Sequence, residues 1–146
     1  MQCQDNNTMQ TGIIELPKIL DYRGNLSFFE NDEQLPFSIK RVHWIYDVPG
    51  GEERGGLMYK ETEEFVVAMS GSFEVVVDDG NNKQSFLLNR SYRGLYVPKG
   101  LWRSIDNFST NSVALIVAST FYNPKDAVRV YQEFLNWRKL VRNDKV

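Results

Sequence analysis

The strongest constraint on this chain is the rhythm of its apolar runs, which are short, rich in β-branched and aromatic residues, and cut repeatedly by turn residues. One run covers residues 13–20, and Asp21-Tyr22-Arg23-Gly24-Asn25 then turns the chain into Leu26-Ser27-Phe28-Phe29. After Pro36, residues 37–46 alternate as a long strand would, and Asp47-Val48-Pro49-Gly50-Gly51 ends them. Residues 65–69 and 73–77 flank Ser70-Gly71-Ser72, and Asp78-Asp79-Gly80-Asn81-Asn82 is a strong hairpin signal because these residues tolerate positive φ. Residues 85–88, 94–97 and 112–118 supply three more strands. Many short strands joined by turns imply an all-β sandwich or barrel.

Only the end of the chain reads as helix. Asn123 offers a cap and Pro124 a first helical residue, so a C-terminal α-helix is expected from about residue 124. Val128, Tyr131 and Leu135 would form its packing stripe. The basic tail around Trp137, Arg138, Lys139 and Arg142 fits a solvated helix end with cations suited to the dipole, in preference to a membrane-surface helix. Residues 1–11 read as a polar, flexible leader, and residues 12–146 as one domain without internal repeats.

Composition narrows the function classes. The 146 residues carry 17 basic and 19 acidic side chains, a net charge of −2, which argues against a nucleic-acid binder that neutralises many phosphates. No apolar run approaches the roughly 20 residues that cross a bilayer. The polar start has neither a basic nor an apolar segment of the secretory kind, so a cytoplasmic location is expected. Cys3 is the only cysteine and has no internal partner for a disulfide.

Two stretches have the spacing of the cupin motifs. Glu64 and Gly71 hold the last two places of the first motif, whose histidine places carry Leu57 and Tyr59. Pro98, Gly100 and Asn107 fit the second, whose histidine place is Arg103. The implied fold is a cupin (RmlC-like) jelly roll, a double-stranded β-helix, with the C-terminal helix appended. A divalent transition metal needs about three converging imidazoles, thiolates or carboxylates. Leu57 has no donor atom, Tyr59 a weak one and Arg103 a permanent positive charge, so no bound metal is expected.

Within the cupins, the chain resembles the dTDP-4-keto-6-deoxyhexose 3,4-ketoisomerases, or WxcM-like sugar isomerases. The similarity rests on Leu35-Pro36-Phe37-Ser38-Ile39-Lys40-Arg41-Val42, Glu53-Arg54-Gly55-Gly56, Ser70-Gly71-Ser72 with Asp78-Asp79-Gly80, and the Asp21-x-Arg23-Gly24-x-Leu26 opening. Gly94-Leu95-Tyr96-Val97, Trp102 and Tyr131 fit as well, so it spans about residues 13 to 137. The resemblance implies a homodimer with exchanged strands and a pocket for a dTDP-sugar. It implies a shift of a keto group from C4 to C3 without metal or organic cofactor. The family signature Arg-Gly-x-His-x-His-Lys reads here Arg54-Gly55-Gly56-Leu57-Met58-Tyr59-Lys60, and the family often has Gln at the place of Glu64 and His at that of Arg103.

That departure bears on chemistry. A carbonyl shift between neighbouring carbons passes through an enediol, with a base taking the C3 proton and an acid supplying one to C4; imidazole suits both tasks. Leu57 serves neither. Tyr59, with an ordinary pKa near ~10, is a plausible acid or hydrogen-bond donor but a poor base. His43 and Glu64 are the candidate bases; against those roles stand a hydrogen-bonded strand histidine and a salt-bridged carboxylate. Arg54 is the leading candidate for the diphosphate, since bidentate cations suit it, with Lys60 and Arg103 behind it. Trp102 and Tyr96 either stack on a thymine or line a sugar pocket, or else pack the core. Arg23 either reaches a partner subunit or caps its own turn. The expected function is a dTDP-keto-deoxyhexose-binding cupin of deoxysugar or surface-polysaccharide synthesis, with turnover altered or lost. The alternatives are an active ketoisomerase or epimerase with relocated acid and base, and a structural or regulatory cupin subunit.

Overall fold

The computed structural model describes residues 10–143; the leader expected at residues 1–11 falls almost entirely outside them. Two five-stranded antiparallel sheets face one another. The first runs β1 (Gly12–Glu15), β9 (Arg93–Val97), β6 (Glu64–Ser70), β11 (Val113–Ala118), β4 (Arg41–Tyr46). The second runs β12 (Ala127–Val128), β5 (Arg54–Tyr59), β10 (Trp102–Asp106), β7 (Phe73–Asp78), β8 (Lys83–Leu88). A separate ribbon pairs β2 (Lys18–Ile19) with β3 (Leu26–Ser27). Neighbouring strands are often distant in sequence, as in β6–β11 and β10–β5, which is the jelly-roll wiring.

Side-chain alternation explains the layering. Along β6, Val66 and Ala68 point between the sheets, where they meet Phe73, Val75, Val77, Leu95, Ile105 and Ile116. Their neighbours Phe65 and Val67 point outward and are covered by Leu16, Leu35, Phe37 and Tyr96. A strand buried on both faces has no polar alternation, and all five residues from Glu64 to Ala68 are buried.

Several expectations shift. The strand expected over residues 37–46 begins only at Arg41, because Leu35 and Phe37 bury themselves on the outer face of the first sheet. The run at 13–20 divides into β1 and β2 at the Leu16–Pro17 corner, where Leu16 is buried. The helix expected from about residue 124 begins at Tyr131 and runs to Asn143 (α1). Asn123 does cap and Pro124 does lead, but they start a single 3-10 turn, Pro124–Asp126. Two tertiary contacts override the helical signal there. The Asp126 carboxylate accepts from the Glu61 amide at 2.8 Å and from the Thr62 hydroxyl, and Val128 pairs with Met58 on β5.

Candidate functional site

The inner gap is apolar at one end and charged at the other. Register puts the charged residues there. Arg41 lies opposite Ala118, which lies opposite Glu64, so all three occupy one inward-facing row of the first sheet. His43 lies opposite Ile116 in the next inward row. From the second sheet, Leu57 and Arg103 are opposite one another and Tyr59 follows Leu57 on the same face.

Glu64 and Arg103 join the two sheets. Arg103 donates from Nε to Oε1 at 2.8 Å and from Nη2 to Oε2 at 2.9 Å, with both side chains almost wholly buried. This is the bidentate fork that makes Arg–carboxylate pairs strong. Burial opposes the Arg103 charge, but the Glu64 carboxylate and its hydrogen bonds outweigh it and hold the guanidinium above its ordinary value. The main chain makes room for the pair. Gly55 has φ +99°, and a Cβ there would lie 2.6 Å from Arg103 Nη1. Gly56, at φ +65°, is the extra residue where the β5–β10 register slips. Packing against Arg103 thus explains Gly55, and the register slip explains Gly56.

Burial first, and then the charges of the ion pair, shift the protonation of its neighbours. Burial lowers the His43 pKa below its ordinary value; the Glu64 charge opposes that, and Arg103 and Arg41 reinforce it. The imidazole is therefore neutral at pH 7. Burial raises the Tyr59 pKa and Glu64 adds to the rise, while Arg103, Arg41 and Arg129 partly offset it. Tyr59 is therefore a protonated phenol, a donor with no free negative charge. Both oxygens of Glu64 are taken, so a base role would first require breaking two charge-assisted hydrogen bonds. Leu57, 4% exposed and opposite Arg103, adds only hydrocarbon to this face.

The other sequence candidates are dispersed. Tyr96 points away from the gap: it lies beside Phe37 and its hydroxyl donates to Glu63 at 2.5 Å. Trp102 faces outward from the second sheet and packs against Tyr131 and Phe134 of α1. Lys60 is exposed and its amide donates to the Asp126 carbonyl. Arg23 is exposed and forks onto Asp21 in its own turn. Arg54 is exposed and lines a hollow of about 410 Å³ beside Trp44, Tyr46, Asp47, Glu52 and Glu53. A second hollow, of about 500 Å³, is lined by Thr11, Asp79, Gln84, Lys99 and Arg138 near the helix. Neither is lined by His43, Tyr59, Glu64 or Arg103. Among the described residues, no three His, Cys, Asp or Glu side chains are grouped to hold a metal ion, and no helix is long and apolar enough to cross a membrane.

A jelly roll with charged residues gathered between its sheets defines the class as a cupin-like β-sandwich. Residues 9–139 match the family described as FdtA: WxcM-like, C-terminal. The chain is 39% identical over 126 residues to a TDP-4-oxo-6-deoxy-alpha-D-glucose-3,4-oxoisomerase from Aneurinibacillus thermoaerophilus, covering 86% of this chain and 91% of that one. It superimposes on the crystal structure of a 3,4-ketoisomerase from Helicobacter canadensis with a TM-score of 0.87 at 40% identity, over 90% and 98% of the two chains. For the WlaRB TDP-quinovose 3,4-ketoisomerase from Campylobacter jejuni the TM-score is 0.83 at 39% identity, over 88% and 98%. The chain belongs to the FdtA/WxcM-like family, whose relatives here are TDP-sugar 3,4-ketoisomerases.

Proposed function

We propose that this protein binds a thymidine diphosphate keto-deoxyhexose at the charged end of the gap, and that it has lost the proton shuttle of its relatives. The observation that carries the reading is the inter-sheet Glu64–Arg103 pair beside a buried Leu57. It places a fixed, water-excluded dipole where a polar sugar sits well, next to hydrocarbon that moves no proton. His43 and Tyr59 then serve as neutral hydrogen-bonding groups for the sugar hydroxyls. Removal of a general base commonly costs on the order of 10²–10⁴ in rate. Incubation with a TDP-4-keto-6-deoxyhexose in D₂O tests this: the expected result is saturable binding, with deuterium entering C3 no faster than in free solution.

A second reading is favoured by one observation, the convergence of His43 and Tyr59 on the same ion pair. In it, neutral His43 takes the C3 proton and the Tyr59 phenol donates at C4. The same experiment then gives rapid deuteration that collapses in His43→Ala.

The protein is further proposed to be a homodimer with exchanged strands. Within one chain, β1 is paired with β9, but the β2–β3 ribbon carries Ile19, Leu20 and Leu26 largely exposed, Leu20 to 71%. On the outer face of edge strand β4, Val42, Trp44 and Tyr46 are also open. Two uncovered apolar surfaces on one chain, one of them a free strand edge, are what a second copy would bury.

A further inference from the structure

We propose that Arg41 is the oxyanion-binding residue of this site, and that it takes the diphosphate of the nucleotide sugar. The proposal rests on the nucleotide-sugar reading above. An arginine grips a two-oxygen anion side-on through Nε and one terminal nitrogen, and Arg103 holds Glu64 in this way through Nε and Nη2. In Arg41 the same two nitrogens, Nε and Nη2, are buried and have no hydrogen-bond partner among the described residues. Buried donors in a native fold are nearly always satisfied, so an empty buried fork marks a missing acceptor.

Among the described residues, the nearby carboxylates are already committed elsewhere. Glu64 is committed to Arg103, Glu63 accepts from the Tyr96 hydroxyl, and Asp126 accepts from Thr62 and the Glu61 amide. Among the described residues no ion pair includes Arg41. Its guanidinium instead lies 5.9 Å from the ring of Tyr59 on β5 and 5.6 Å from the ring of Tyr122 in the segment after β11. Aromatic faces hold a guanidinium in place without neutralising it. Ala118, between Arg41 and Glu64 in the row, keeps the floor low between the two long side chains. Arg129 adds a second positive charge to the Tyr59 surroundings. An anion reaches the fork when a ring moves aside, and Tyr122, 73% exposed, is the freer one. Arg54, the sequence favourite for this role, faces Asp47, Glu52 and Glu53 in its hollow, which repel a diphosphate.

Calorimetric titrations of the full chain and of Arg41→Met and Arg41→Lys with dTDP and with pyrophosphate alone test the proposal. The expected result is binding of both ligands to the unaltered protein, weakened about 10- to 100-fold in Arg41→Met, with Arg41→Lys between them. Circular dichroism establishes that the variants remain folded. Binding of dTDP that is equally tight in Arg41→Met overturns the assignment of Arg41 and leaves the nucleotide-sugar reading standing. Pyrophosphate binding that depends on Arg41, with dTDP binding no tighter, keeps the oxyanion contact and overturns the thymidine reading. Neither ligand binding the unaltered protein overturns both.

Discussion

His43 is the only histidine in the chain, so one imidazole resonance reports on the site directly. Its folded pKa is lowered, by burial first. The unfolded chain, at about 6.5, then takes up a proton before the folded one does. Stability is therefore lost as pH falls through about 6.5, and the loss stops once pH is below the folded value. Two measurements follow. The NMR titration midpoint should lie below 6.5, and urea unfolding at pH 7.5 and 5.5 should show a larger drop for the unaltered protein than for His43→Gln. An equal drop would mean the imidazole is solvated. The Glu64–Arg103 pair obeys a different rule: breaking a buried pair from one side leaves an uncompensated charge. Glu64→Gln and Arg103→Met should each cost about 3–5 kcal/mol in urea unfolding, and the double variant Glu64→Leu/Arg103→Met much less than their sum.

At the scale of elements, the helix depends on one side chain. Phe134 is wholly buried on the outer face of the second sheet, packed with Met58 and Val128 and stacked near Trp102 and Tyr131. Phe134→Ala should destabilise by about 3–5 kcal/mol, seen as a lower urea midpoint, and should release α1 from β5. The sequence stripe pointed to Val128, Tyr131 and Leu135 and missed Phe134, because it was counted from a helix start seven residues early. Nothing in the Asn123-Pro124 signal distinguishes one 3-10 turn from a full helix; the Asp126 and Val128 contacts decide, and they are long-range. The central strands were legible because their apolar runs and turns are local. β5 was not, since Arg54-Gly55-Gly56 breaks the strand pattern with two positive-φ glycines, Gly55 beneath a side chain 48 positions away, Arg103, and Gly56 at the slip in the β5–β10 register. β10 was hidden because two of its buried residues, Arg103 and Ser104, are polar.

For the whole molecule, the jelly roll and the family were readable from motif spacing, and His43, Tyr59, Glu64 and Arg103 do gather at one end of the gap. What spacing did not reveal was commitment: that Arg103 is spent on Glu64 while Arg41, two positions before His43 on the same face, is unspent. Assembly belongs to this scale too. Light scattering should give a dimer mass, and Trp44→Asp, on the exposed face of β4, should shift it toward the monomer. The most direct test is a crystal structure of the protein grown with a TDP-4-keto-6-deoxyhexose. The sugar is expected between the sheets, over the Glu64–Arg103 pair and within reach of Tyr59 and His43, with its diphosphate on Arg41. The nucleotide absent from the charged end, or lodged in the hollow beside Arg138, would contradict this placement.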